Sequence, residues 1–169
     1  TFKYALVAGI ILVIAFTGFL YNRFTIIKKQ KGIIEEQKQI VEEKNREVLD
    51  SINYAKRLQD AILPPEKLWK SVFPESFILY LPKDIIAGDF YFMEKSGNKV
   101  IFAVADCTGH GVPGAMVSVV CANALNRAVK EFKLTDSGLI LDKVRELVLE
   151  TFEKSESAVN DGMDISLCV

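Results

Sequence analysis

A chain of 169 residues, 50% of them hydrophobic, with 21 Lys and Arg against 22 Asp and Glu and a formal charge of -1, has room for one modest globular domain and an apolar segment besides. It carries no global basic field that would collect phosphates from a polymer, so no nucleic acid is expected as a partner. Cys107, Cys121 and Cys168 are widely spaced without a CxxC pair, which argues against a disulfide framework or a zinc site and fits a reducing compartment. His110 is the only histidine, so a metal site would rest mainly on carboxylates and carbonyls, donors that favour hard ions such as magnesium or manganese.

The first element in chain order is YALVAGIILVIAFTGFLY, residues 4–21, uncharged and about 27 Å long as a helix, close to the hydrocarbon thickness of a bilayer. Residues 1–22 therefore read as a transmembrane helix. Lys3 alone precedes it, whereas Arg23, Lys28, Lys29 and Lys31 follow, which places the C-terminal side in the cytoplasm and the chain in the cell inner membrane as a single-pass protein. A signal peptide is the alternative, but no small-x-small cleavage site is present. Because the chain begins with Thr, more protein is expected on its N-terminal side.

Residues 23–63 form a charged helix in which Ile27, Ile34, Val41, Val48, Ala55 and Ile62 recur every seventh position, with Ile26, Ile33 and Ile40 alongside. Three positions further on stand Gln30, Gln37, Lys44 and Ser51, so half of the heptad seam is polar and a coiled coil there is marginal. The pattern suits a parallel homodimeric signalling helix over 24–63; a solvated connector with one apolar face is the plainer alternative. Pro64-Pro65 ends it, and residues 64–76, with the sole tryptophan Trp69, form a linker or docking piece.

Beyond Glu75 the pattern changes to strands at 77–82, 88–95 and 99–106, the last two joined through Gly97-Asn98, a good two-residue hairpin turn. With that turn, paired positions sum to 195 and Asp89 falls opposite Asp106. Directly opposed carboxylates repel unless something neutralises them, and a divalent cation would. Two solvated loop-edge acids are the plain alternative, and a one-residue slip would separate the pair onto opposite faces. Tyr91, Met93, Phe102 and Val104 share the face of the aspartates, and Phe90, Phe92, Ile101, Ala103 and Ala105 fill the other, so both faces are expected to be covered.

The loop DCTGHG (106–111) follows, with glycines that permit close backbone approach, and Pro113 suits the first turn of a buried helix over 114–132. A second helix, roughly 138–155, is capped by Asp136 or Ser137 and carries a stripe of Val144, Leu147, Val148 and Phe152. DGMDISLCV then starts a strand near Met163.

Taken together, GDFYF, ADCTGHGVPGAM, the ANALN helix and DGMDISLC resemble the SpoIIE-like branch of the PPM-type metal-dependent serine/threonine phosphatases, and AKRLQDAILPP (55–65) resembles the helix that leads into that domain in membrane-anchored bacterial members. The resemblance covers roughly residues 50–169. It implies an α+β fold: the N-terminal part, residues 77–169, of an α/β/β/α sandwich of antiparallel sheets flanked by helices, truncated at the C-terminus. It also implies two Mn2+ or Mg2+ ions that activate water against phosphoserine or phosphothreonine on a phosphorylated protein substrate. Asp89 and Asp106 match the family's early metal ligands, the backbone carbonyl of Cys107 matches a further one, and His110 is placed to act as general acid. The family's later acidic ligands have no counterpart before Val169; Asp164 reads as strand-associated and not as a ligand. The fragment alone is then expected to be inactive, and a pseudo-phosphatase or phosphoprotein-binding module is the competing reading.

Overall fold

A computed structural model describes residues 2–153 and 161–169, with residues 4–8 given by their backbone alone. Helix α1 runs Phe2–Ile62, and the chain divides into two compact units, residues 1–49 and residues 50–169.

The first unit is helix throughout its described length. A window beginning in its apolar half has a mean hydropathy of 1.9 and no buried residue, so it is long and apolar enough to cross a membrane. Its polar half is laced by Lys38–Glu42 and Lys44–Glu47 pairs at 3.8 and 2.8 Å, the one-turn spacing at which side chains of a helix meet. Ile26, Ile33, Ile40 and Val48 of the heptad stripe are exposed.

The second unit begins with the last turns of α1 and continues through α2 (Glu66–Val72), β1 (Phe90–Ser96), β2 (Lys99–Cys107), α3 (Gly111–Asn126), α4 (Ser137–Glu153) and β3 (Met163–Cys168). The strands form one antiparallel sheet in the order β1-β2-β3. Gly97 takes φ 62 in the turn, as a tight hairpin requires, and the ladder from Phe90↔Ala105 to Ser96↔Lys99 keeps the expected sum of 195. Alternation then sorts the side chains: Phe90, Phe92, Ile101, Ala103 and Ala105 are buried in the core with Cys121, Leu125 and Val129 of the following helix and Ile140, Val144 and Leu147 of α4. The opposite face is covered in part by α2 and the residues after it, where Trp69 meets Tyr91 and Phe102 edge-on at 6.0 and 6.2 Å and Phe73 meets Phe102 at 5.3 Å.

Several boundaries differ from expectation, each for a local reason. Helix α3 starts at Gly111, not at 114, and ends in a π-helical turn, Arg127–Glu131, where Phe132 N–H donates to Arg127 O at 3.1 Å. Lys133, at φ 55, then turns the chain out and Leu134 N–H donates to Ala128 O, the bond that closes a left-handed helix end. This helix is also long and apolar enough to cross a membrane, but 56% of its most apolar stretch is buried, which marks it as the core helix of the domain. Asp136 Oδ1 accepts from Leu139 N–H at 3.0 Å and caps α4, while the expected last residues of that helix lie outside the described residues.

The expectation of a strand at 77–82 is corrected: the segment alternates in exposure as a strand would, yet forms no ladder. A strand exists only when its backbone groups find a partner. Among the described residues none pairs with it, so Phe77, Leu79 and Leu81 stay exposed, and only one sheet of the expected two-sheet sandwich is formed.

Candidate metal centre

Asp89 lies one residue before the first ladder pair of β1 and Asp106 one residue beyond the matching position of β2, so the hairpin brings the two carboxyl groups together at the end of the sheet. Asp89 is accordingly pushed above its ordinary value, first by the part of it that is buried, then by a hydrogen bond to Asp106 and by the charge of Asp106. Like charges held at one site oppose each other's ionisation, which is the electrostatic signature of two carboxylates brought together.

The loops on either side are fixed by backbone-to-backbone packing. A Cβ on Gly114 would come within 2.5 Å of Gly109 O, and a Cβ on Gly88 within 2.8 Å of Gly109 O and 3.0 Å of Cys107 O. Only glycine fits either position, and the carbonyl of Cys107 is thereby held against the residue next to Asp89. The Cys107 side chain points the other way, into the core, against Cys121 of α3.

Further contacts tie this end of the sheet to its surroundings. Tyr80 O–H donates to Asp89 O at 3.1 Å, and burial, with the charge of Asp89 next, raises the Tyr80 phenol. Thr108 N–H donates to Gly162 O at 3.0 Å and Gly162 N–H to Thr108 Oγ1 at 3.1 Å, which prolongs the β2–β3 pairing past its last rung. Gln59, 4% exposed, inserts from the end of α1: its Nε2 donates to Ala87 O at 2.6 Å and to Ser118 Oγ at 3.0 Å, and Ala87 N–H donates to its Oε1 at 3.1 Å. Gln59 thus fixes the loop that leads into Asp89.

His110 occupies the N-cap position of α3 without a side-chain capping bond. Its Nδ1 is instead 3.0 Å from Asp84 Oδ2. His110, Asp106, Cys107, Thr108, Asp161 and Asp164 line one depression. Asp164 is in β3, as its pattern implies, and the register places it directly opposite Asp106; residues so paired point to the same face of a sheet. Sequence reasoning missed Asp84, Gln59 and this Asp106–Asp164 pairing. Of these only Gln59 left a signal, a polar residue between Ala55 and Ile62 on the apolar face of its helix.

The donors suit a hard divalent ion: two carboxylates converge, each opposing the other's charge, and a carbonyl is fixed beside them. Among the described residues, no three His, Cys, Asp or Glu side chains gather closely enough to hold an ion by themselves.

The arrangement is a mixed domain of helices on a small antiparallel sheet, with a carboxylate pair at the end of its hairpin. Among solved structures the chain is similar to the SiaA-PP2C domain of Pseudomonas aeruginosa, with a TM-score of 0.65 and 31% identity, over 73% of this chain and 48% of that one. The chain therefore spans about half the length of the structure it matches. No family model and no curated protein matches the sequence. The likeness supports the PPM-type phosphatase family and a phosphatase-like domain.

Proposed function

We propose that the chain is part of a membrane-tethered, SpoIIE-like protein serine/threonine phosphatase that removes phosphate from a phosphorylated partner protein in bacterial signalling. The observation that carries this reading is the meeting of Asp89 and Asp106 on a PP2C-like hairpin. Asp89, Asp106 and the Cys107 carbonyl would hold Mn2+ or Mg2+, two ions in the complete centre. Such ions, when bound, lower the pKa of a coordinated water and neutralise phosphoryl oxygens. The chain's own part is to fix those ligands through the Gly88–Gly109–Gly114 contacts and to offer His110 as the acid for the departing hydroxyl.

Residues 4–21 would cross the inner membrane with the phosphatase domain in the cytoplasm, and residues 24–63 would pair two copies through the exposed isoleucine stripe. Manganese titration is the direct test of the centre: the chain binds the ion, and Asp106→Asn loses at least about tenfold in affinity. Equal binding by that variant would remove the metal assignment. Turnover of a phosphoserine peptide by the protein with its complete phosphatase domain tests the reaction. Because no three ligand side chains gather among the described residues, a phosphoprotein-binding module is the one second reading, and saturable peptide binding without hydrolysis by the protein with its complete phosphatase domain would select it.

A further inference from the structure

The geometry assigns to Asp84 the role of positioning residue for His110: it holds the imidazole as the Nδ1–H tautomer and leaves Nε2 as the nitrogen that exchanges a proton with the depression lined by Asp106 and Cys107. This rests on the phosphatase reading for its chemical purpose and on the structure alone for its physical content. Four observations carry it. Asp84 Oδ2 is 3.0 Å from Nδ1 of His110, and a carboxylate can only accept there, so the proton is on Nδ1. The ring forgoes capping the helix whose N-cap it occupies, a position where a side chain ordinarily bonds the exposed N–H groups. Gly111, at φ +61, passes its backbone beneath the Asp84 carboxylate, and a Cβ there would come 3.5 Å from Oδ2. The two loops that carry the pair are locked by the Gly88–Gly109 and Gly109–Gly114 contacts, so their separation is set by packed backbone.

The chemical consequence follows from balance. As general acid, the imidazolium gives its Nε2 proton to the departing serine oxygen while the electron pair of the breaking P–O bond stays on that oxygen and water becomes bonded to phosphorus. The ring that remains is neutral with its proton on Nδ1, the form that Asp84 accepts from. Asp84 therefore holds the ring in one orientation and one tautomer through the proton transfer, so that Nε2 remains the exchanging nitrogen and no ring rotation is needed before the next turnover.

Both side chains are largely exposed, 73% for His110 and 44% for Asp84, and such pairs add little to stability. Removing the carboxylate should consequently change the ring and not the fold. Because His110 is the only histidine, a full chain labelled with 15N-histidine and held in detergent micelles gives one imidazole to observe. Long-range 1H–15N spectra above the ordinary imidazole titration range are expected to show a protonated Nδ1 and an unprotonated Nε2. Asp84→Ala should shift the tautomer ratio toward Nε2–H by about fivefold, the scale of an exposed charge-assisted contact, and Asp84→Glu should recover part of the shift. Should Asp84→Ala fail to fold, Asp84→Asn keeps the shape without the charge and must shift the ratio in the same direction. A wild-type ring already in the Nε2–H form, or a ratio unchanged in the variants, overturns the assignment. Absence of manganese-dependent turnover in the protein with its complete phosphatase domain would instead sink the phosphatase reading, and the tautomer result would stand.

Discussion

Replacing Gln59 with Ala removes the amide that joins the end of α1 to the loop before Asp89, and the structure fixes what is left behind. Ser118 keeps a partner, since its hydroxyl also donates to Ala115 O at 2.8 Å. Ala87, 6% exposed, loses the partner of both its N–H and its carbonyl. A buried backbone group without a partner costs about 1–3 kcal/mol, and water reaching the vacated space recovers part of that, so a net loss of about 2–4 kcal/mol is expected. For a unit of this size that is a fall in unfolding midpoint of about 10 °C. Trp69 is the only tryptophan, and it packs against Tyr91 and Phe102, so its fluorescence follows unfolding of the sheet that carries Asp89 and Asp106. Gln59→Met, similar in volume but without the amide, restores packing but not the hydrogen bonds, and should therefore keep more than half of the loss. A midpoint within about 2 °C of wild type in Gln59→Ala would refute the reasoning.

Gly114→Ala should destabilise by about 1–3 kcal/mol, because the new methyl meets backbone and no flexible side chain can yield; urea unfolding measures this, and wild-type stability would show that the loop moves freely. Asp89, with its folded value above the unfolded one, binds more protons folded than unfolded, so the metal-free chain loses stability as pH rises from about 3.8 through the raised value. Asp89→Asn should abolish that loss and melt higher than wild type at neutral pH in chelator, a result that reverses if Asp89 makes a stabilising ion pair. Residues 24–63 are expected to hold two copies together, and light scattering of the detergent-solubilised chain should report a dimer that Ile27→Asp with Ile34→Asp reduces to a monomer.

The hairpin was legible in the sequence because everything that determines it is local: Gly97-Asn98 sets the turn, the turn sets the sum of 195, and alternation assigns each face. Asp89 and Asp106 came with it. Residues 77–82 carry an equally good alternating pattern, but a pattern supplies only a face, and pairing depends on a partner that the segment itself does not encode. The β2–β3 register, which sets Asp164 against Asp106, has no short turn to announce it. Asp84 was invisible for the same reason: it is 26 positions from His110, and the pair meets only because three glycines let the intervening backbones touch.

Cys107 gives this end of the molecule a gauge of its own. Its thiol is buried against Cys121, and that contact, with burial second, raises it well above the usual thiol range, whereas Cys168 is exposed. An alkylating reagent therefore marks Cys168 at once and must wait for α3 to lift from the sheet before it reaches Cys107. The waiting time measures how often the end of β2 comes apart, in the folded chain and without any substrate.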